Sequence, residues 1–129
     1  MASATSKRPR SRTKVRKPRQ RTGGSDIGAL RRRYGVPQAL LARLLDVSLR
    51  TASAAESSVA LPPQLRRNLT QVSRLCGALA EAMEPACAGR WLDQPNEMLA
   101  GLKPVEAIER GQLDLVWQVI EGLRSGSPL

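Results

Sequence analysis

Apolar residues recur at three- and four-residue spacing through most of the chain after residue 25, and no extended run alternates β-branched or aromatic side chains with polar ones. That pattern predicts helices throughout. Ser25 or Asp26 can cap a first helix carrying Ile27, Leu30 and Tyr34 and ending at Gly35. Pro37 opens a second, short helix with Leu40, Leu41, Leu44 and Leu45 on one face. Asp46 and Val47 then make a tight break, and Ser48 caps a third helix from Leu49 to about Ser58. After the interruption at Leu61-Pro62-Pro63, a long helix is predicted over Gln64 to Met83, its stripe formed by Leu65, Leu69, Val72, Leu75, Cys76, Leu79 and Met83. A short helix presenting Trp91 and Leu92 stops before Pro95, Asn96 caps a turn toward Met98 and Leu99, Gly101 permits a bend, and Pro104 starts a helix that Gly111 ends. The last helix, about Gln112 to Arg124, places Leu113, Val116, Trp117, Ile120 and Leu123 on one face.

Charge divides the chain differently from hydrophobicity. The 129 residues carry a net charge of +10, and nine of the 21 basic residues fall within the first 25 positions, where no acid occurs. That segment has one large aliphatic residue after Met1, Val15, so it cannot bury enough surface to offset chain entropy and is expected to be disordered alone. A basic arm attracts polyanions by counterion release, which makes nucleic acid its expected ligand. A leader with no partner and a membrane surface are the weaker readings, since neither an amphipathic helix nor a lipidation signal accompanies the charge. An organelle transit peptide is disfavoured by Pro9 and Pro18, which interrupt the helix it would need. The expected organisation is a disordered basic arm over 1–25, a helix-turn-helix unit over 26–61 and a helical domain over 62–129: an all-α fold.

Composition excludes several chemistries. Without a histidine, a His-dependent triad, a His-ligated metal or a His general base cannot be built, and two cysteines cannot complete a four-ligand zinc site. No nucleophile stands beside a base, and Glu106 and Glu109, one helical turn apart, read as a solvated face. The expectation is a protein that is not an enzyme and uses no cofactor or metal. Cys76 and Cys87 sit among small and apolar residues, which suits reduced, core-filling thiols. No stretch has the length or apolarity to span a bilayer, so a cytoplasmic, membrane-free protein is expected.

The segment Val36-Pro37-Gln38-Ala39-Leu40-Leu41-Ala42-Arg43-Leu44-Leu45-Asp46-Val47-Ser48-Leu49-Arg50-Thr51 resembles the Xre, or repressor-type, helix-turn-helix, with Gln38 opening the second helix and Val47-Ser48 stepping into the third. The resemblance implies base or groove contacts from Gln38, Ser48, Arg50, Thr51 and Ser53. Phosphate affinity would come from Arg31, Arg32, Arg33 and the arm residues Arg8, Arg10, Arg12, Lys14, Arg16, Lys17 and Arg19. Beyond Arg50 the third helix is small and nearly uncharged, so direct readout is expected to be weak.

From Trp91-Leu92 through Pro95-Asn96, Leu99, Gly101, Pro104-Val105-Glu106 and Gly111 to Glu121-Gly122-Leu123, the sequence is similar to the C-terminal toxin-binding domain of the Xre/MbcA/ParS antitoxin family. Ala100 departs from the family pattern, where a glycine often precedes the bend, and the basic arm is longer than usual. What the resemblance implies is a bacterial type II antitoxin that represses its own operon and sequesters a RES-domain toxin, an enzyme that consumes NAD; a homodimer is expected because helix-turn-helix proteins usually read two half-sites. Trp91, Leu92, Pro95, Asn96, Met98, Leu99, Gly101, Pro104, Trp117 and Arg124 are the expected toxin contacts, and the last residues are expected to reach the toxin's active-site mouth. The competing expectation is a stand-alone transcription regulator or nucleoid-type DNA-binding protein whose C-terminal helices serve to dimerise.

Overall fold

The computed structural model describes residues 23–126, and every regular element among them is helical. The α-helices are α1 (Gly24–Tyr34), α2 (Gln38–Leu45), α3 (Leu49–Glu56), α4 (Pro63–Leu79), α5 (Ala88–Leu92), α6 (Pro104–Glu109) and α7 (Leu113–Ser125), with 3₁₀ turns at Pro85–Cys87 and Glu97–Leu99. The all-α class expected from the periodicity is the class observed. The expected arm contacts Arg8, Arg10, Arg12, Lys14, Arg16, Lys17 and Arg19 lie outside the described residues, as do the last three residues of the expected active-site tail.

Most boundaries follow local chemistry. Asp46, at φ 60°, adopts the left-handed conformation that ends α2, and Ser48 Oγ accepts from the Thr51 amide at 3.0 Å to start α3. Where the boundaries differ from expectation, tertiary contacts explain the shift. α1 begins at Gly24 with Gly23 as its cap, and Asp26 closes the first turn from inside by accepting from the Gly23 amide at 3.0 Å. Gly24 also donates to the Ser58 carbonyl at 2.8 Å, and a Cβ there would run into the Glu56 carbonyl, so only glycine admits this contact between α1 and the end of α3. α3 ends at Glu56, before the expected Ser58, because the Ser57 and Ser58 amides fold back onto carbonyls three residues earlier. α4 stops at Leu79 where Met83 was expected: Glu84 precedes Pro85, which disfavours helical backbone at Glu84, and the chain tightens beforehand through Glu81 to Ala78 and Ala82 to Leu79 bonds.

The α4 stripe is buried as predicted from Leu65 to Leu79, with Met83 partly buried against it. α7 is rotated relative to expectation. Val119 joins Val116 and Ile120 in the core because α7 packs at once on α4, α6 and the Glu97–Leu99 turn, whereas Leu123, in the helix's last turn, is 42 % exposed. A single cluster of buried side chains runs from Ile27 on α1 to Ile120 on α7, and α2 packs on both α4 and α6. No polar or charged residue is buried among those described. Both cysteines are free, and burial pushes the Cys76 thiol up to about 12, which keeps it an inert core group. No described helix is long and apolar enough to cross a membrane.

Candidate functional site

Two surfaces hold the residues singled out by the sequence. On the first, Ser48, Arg50, Thr51 and Ser53 are all exposed along the first turns of α3, and Ser48 Oγ donates to Thr51 Oγ1 at 2.9 Å while capping the helix. Arg50 has no protein partner among the described residues, so its guanidinium is available to a ligand. Arg32 and Arg33 are exposed on α1, Arg33 lying 5.5 Å from the Tyr34 ring centroid.

Arg31 and Gln38 were expected to face the same ligand, and the structure engages them elsewhere. Arg31 Nη1 donates to both Glu56 carboxylate oxygens at 2.9 and 3.0 Å, and its Nε donates to the Val36 carbonyl at 3.1 Å. Gln38 Nε2 donates to Glu56 Oε1 at 2.8 Å. Three helices are thereby tied at one carboxylate, a role the sequence pattern did not reveal because Glu56 lies 25 residues from Arg31.

The hydrogen bond from Gln38, reinforced by Arg31, holds the Glu56 carboxyl below the usual carboxylate range. A carboxylate whose pKa is lower in the folded than in the unfolded chain stabilises the fold above its unfolded pKa, and that stability is lost as pH falls through the folded value. Urea unfolding should therefore show stability steady from pH 7 to about 5 and declining below about 4.5. Glu56→Gln should flatten part of that decline and cost about 1 kcal/mol at neutral pH; an unaltered acid limb would show that Glu56 is not the responsible group. Glu109, also lowered, pairs with Arg43 at 2.8 Å but is 40 % exposed, so its share is smaller.

The second surface is built by the chain between α5 and α7. The Asn96 side chain accepts from the Met98 amide at 2.8 Å; its main chain receives bonds from Leu99 and Gly101 and donates to the Leu102 carbonyl at 3.0 Å. Ala100 at φ 58° and Gly101 at φ 87° turn the chain back, so the departure from glycine at position 100 places an alanine in left-handed backbone. Lys103 donates its amide to Glu106 Oε1 at 2.8 Å, which starts α6, and its ammonium lies 3.3 Å from Asp93.

This scaffold sorts the ten expected toxin contacts by accessibility. Leu92, Leu99 and Pro104 are buried, so they shape the surface from within, and Trp91 and Trp117 are half-buried against the core. Asn96 closes the turn. Pro95, Met98, Gly101 and Arg124 face outward, with Met98 half exposed and Arg124 paired to Glu81 at 2.9 Å and Glu121 at 2.8 Å. Leu115 and Leu123 are exposed on α7 although neither was among the expected contacts. Leu115, two positions from Leu113 and off the predicted stripe, carried that signal in the sequence.

The two surfaces also differ in charge. From Glu81 onward the chain has eight acids against four cations, whereas positions 1 to 80 hold the other 17 cations and only Asp26, Asp46 and Glu56 as acids. Nine of those cations precede the described residues, so the span from α1 to α4 holds eight cations against three acids and still favours a polyanion over the α5–α7 side.

No family model matches the chain, and no curated protein does. Among solved structures, a chain from the crystal structure of the M. tuberculosis MbcT-MbcA toxin-antitoxin complex is similar in fold, with a TM-score of 0.65 and 21% sequence identity. The similarity covers 82% of this chain and 96% of that one, so it includes helices of both surfaces.

Proposed function

We propose that this chain is the antitoxin of a bacterial type II toxin-antitoxin pair. Its C-terminal half binds and neutralises a RES-type, NAD-consuming toxin, while α2 and α3 act as a helix-turn-helix that binds operator DNA for autorepression. The protein has no catalytic role of its own, works in the cytoplasm and dimerises to meet two half-sites. The observation that carries the reading is the fold similarity to a chain of a toxin-antitoxin complex over nearly the whole length of that chain. The sequence elements from Trp91 to Gly111 support it independently, since they build one closed turn carrying exposed Met98 beside α7.

The partner surface draws on Met98, Leu115 and Leu123 with the accessible part of Trp91, because apolar and aromatic anchors left at a surface are what a stable partner buries. The test is a nuclease-treated pull-down from native host lysate with the full chain, which should recover one stoichiometric protein that depletes NAD once freed. Met98→Arg and Leu123→Arg should each reduce its capture more than about tenfold with the melting temperature unchanged, because these side chains are exposed. If nuclease treatment removes everything recovered, the antitoxin reading is wrong and a DNA-binding regulator takes its place.

A further inference from the structure

DNA binding through α3 leaves a physical question: the helix has one free cation, Arg50, and a docked helix needs phosphate contacts on its flanks to fix its register. A groove of about 350 Å³ runs alongside the first turn of α3, and its wall includes Thr51 of α3, Asp46 and Val47 of the preceding turn, and Gln64 and Asn68 of α4. Arg67 is exposed and bonded to one of these lining residues, its Nη2 donating to Gln64 Oε1 at 2.6 Å. Gln64 Nε2 donates in turn to Asn68 Oδ1 at 3.1 Å, and Asn68 Nδ2 to the Leu45 carbonyl at 3.1 Å, at the end of α2. This relay links a cation of α4 to the end of α2 through two side-chain amides. Arg67 makes no ion pair among the described residues: its bond is to a neutral amide, and the one acid in the groove wall, Asp46, is not bonded to it.

We infer that Arg67 is a phosphate anchor for duplex DNA beside the first turn of α3, so that the DNA-binding surface extends from the helix-turn-helix onto α4. The inference rests on the reading of α2 and α3 as DNA-binding. Arg67 positions and Arg50 reads: Arg67 contributes equally on every sequence, because a phosphate oxygen looks alike at each step. The relay holds the Arg67 guanidinium on Gln64, which lines the groove together with Thr51.

The experiment is fluorescence anisotropy of the full chain on two short labelled duplexes, the stretch upstream of its own gene and a shuffled version, from about 50 to 200 mM salt. Arg67→Ala should weaken binding several-fold on both duplexes alike and lower the slope of log K against log salt by about 0.9, the share of one phosphate. Arg67→Lys should restore the slope, and both variants should melt with the wild type because the side chain is exposed. An Arg67→Ala chain with wild-type affinity and slope would remove Arg67 from the interface while the wild type's own salt-dependent binding keeps the DNA reading. A wild type that binds neither duplex would overturn the DNA reading and this inference with it.

Discussion

Gly89→Ala is expected to destabilise the protein by about 3 kcal/mol or more. A Cβ at Gly89 would overlap the Gly35 carbonyl oxygen, lie 2.7 Å from the Gly35 carbonyl carbon and sit 3.1 Å from the Tyr34 carbonyl oxygen. All three are backbone atoms, so no side chain can rotate away, and α5 must move off the end of α1. Gly35 faces the same segment at φ 64°, where a Cβ would meet the Ala86 carbonyl, so the two strands of backbone cross with no side chain between them. This crossing seats the Trp91-bearing helix on the N-terminal unit. Thermal unfolding should show the loss as a fall in melting temperature of at least about 10 °C, at about 4 to 8 °C per kcal/mol for a domain of this size. Capture of the protein partner should fall in parallel. A Gly89→Ala chain that melts with the wild type would mean the two segments separate at little cost.

Leu92→Ala is the second large effect, about 3 kcal/mol, and it separates two meanings of an apolar residue in the segment proposed to bind a partner. Leu92 has no exposed surface, so its truncation removes buried methyl groups and leaves a cavity inside the core. Partner capture should be lost only under conditions where the variant is unfolded, and it should return at lower temperature while the fold persists. Met98→Arg is expected to behave oppositely, losing capture at every temperature with the fold intact, since Met98 is half exposed. If Leu92→Ala abolished capture while melting like the wild type, the side chain would have to reach the partner through a rearranged surface, and the assignment of Leu92 to the core would fail.

The helical fold was legible because its signals are local. Gly35, Asp46, Ser48, Asn96, Pro104 and Gly126 each stand within a residue or so of a helix end, and capping and turn chemistry act over only a few positions. The Trp91–Gly111 series was legible for the same reason, as an order of turn and helix signals. The sequence by itself determined the helices, the concentration of cations in the first 25 residues and the absence of histidine chemistry.

Only the tertiary structure decided which apolar residues of each helix face out. α7 meets three neighbours, so its buried sector turns toward Val119, a choice that a 3.6-residue period cannot make alone, and Leu123 is exposed in the helix's last turn. It also decided which polar residues are spent inside the fold. Arg31 and Gln38 looked like free contacts until Glu56, brought from 25 and 18 positions away, consumed them. The Gln64–Asn68 relay likewise ties Arg67 of α4 to the end of α2. Pairings of that kind depend on how helices cross, and the crossing is fixed by packing between residues far apart in the chain, as where Gly35 and Gly89 meet backbone to backbone.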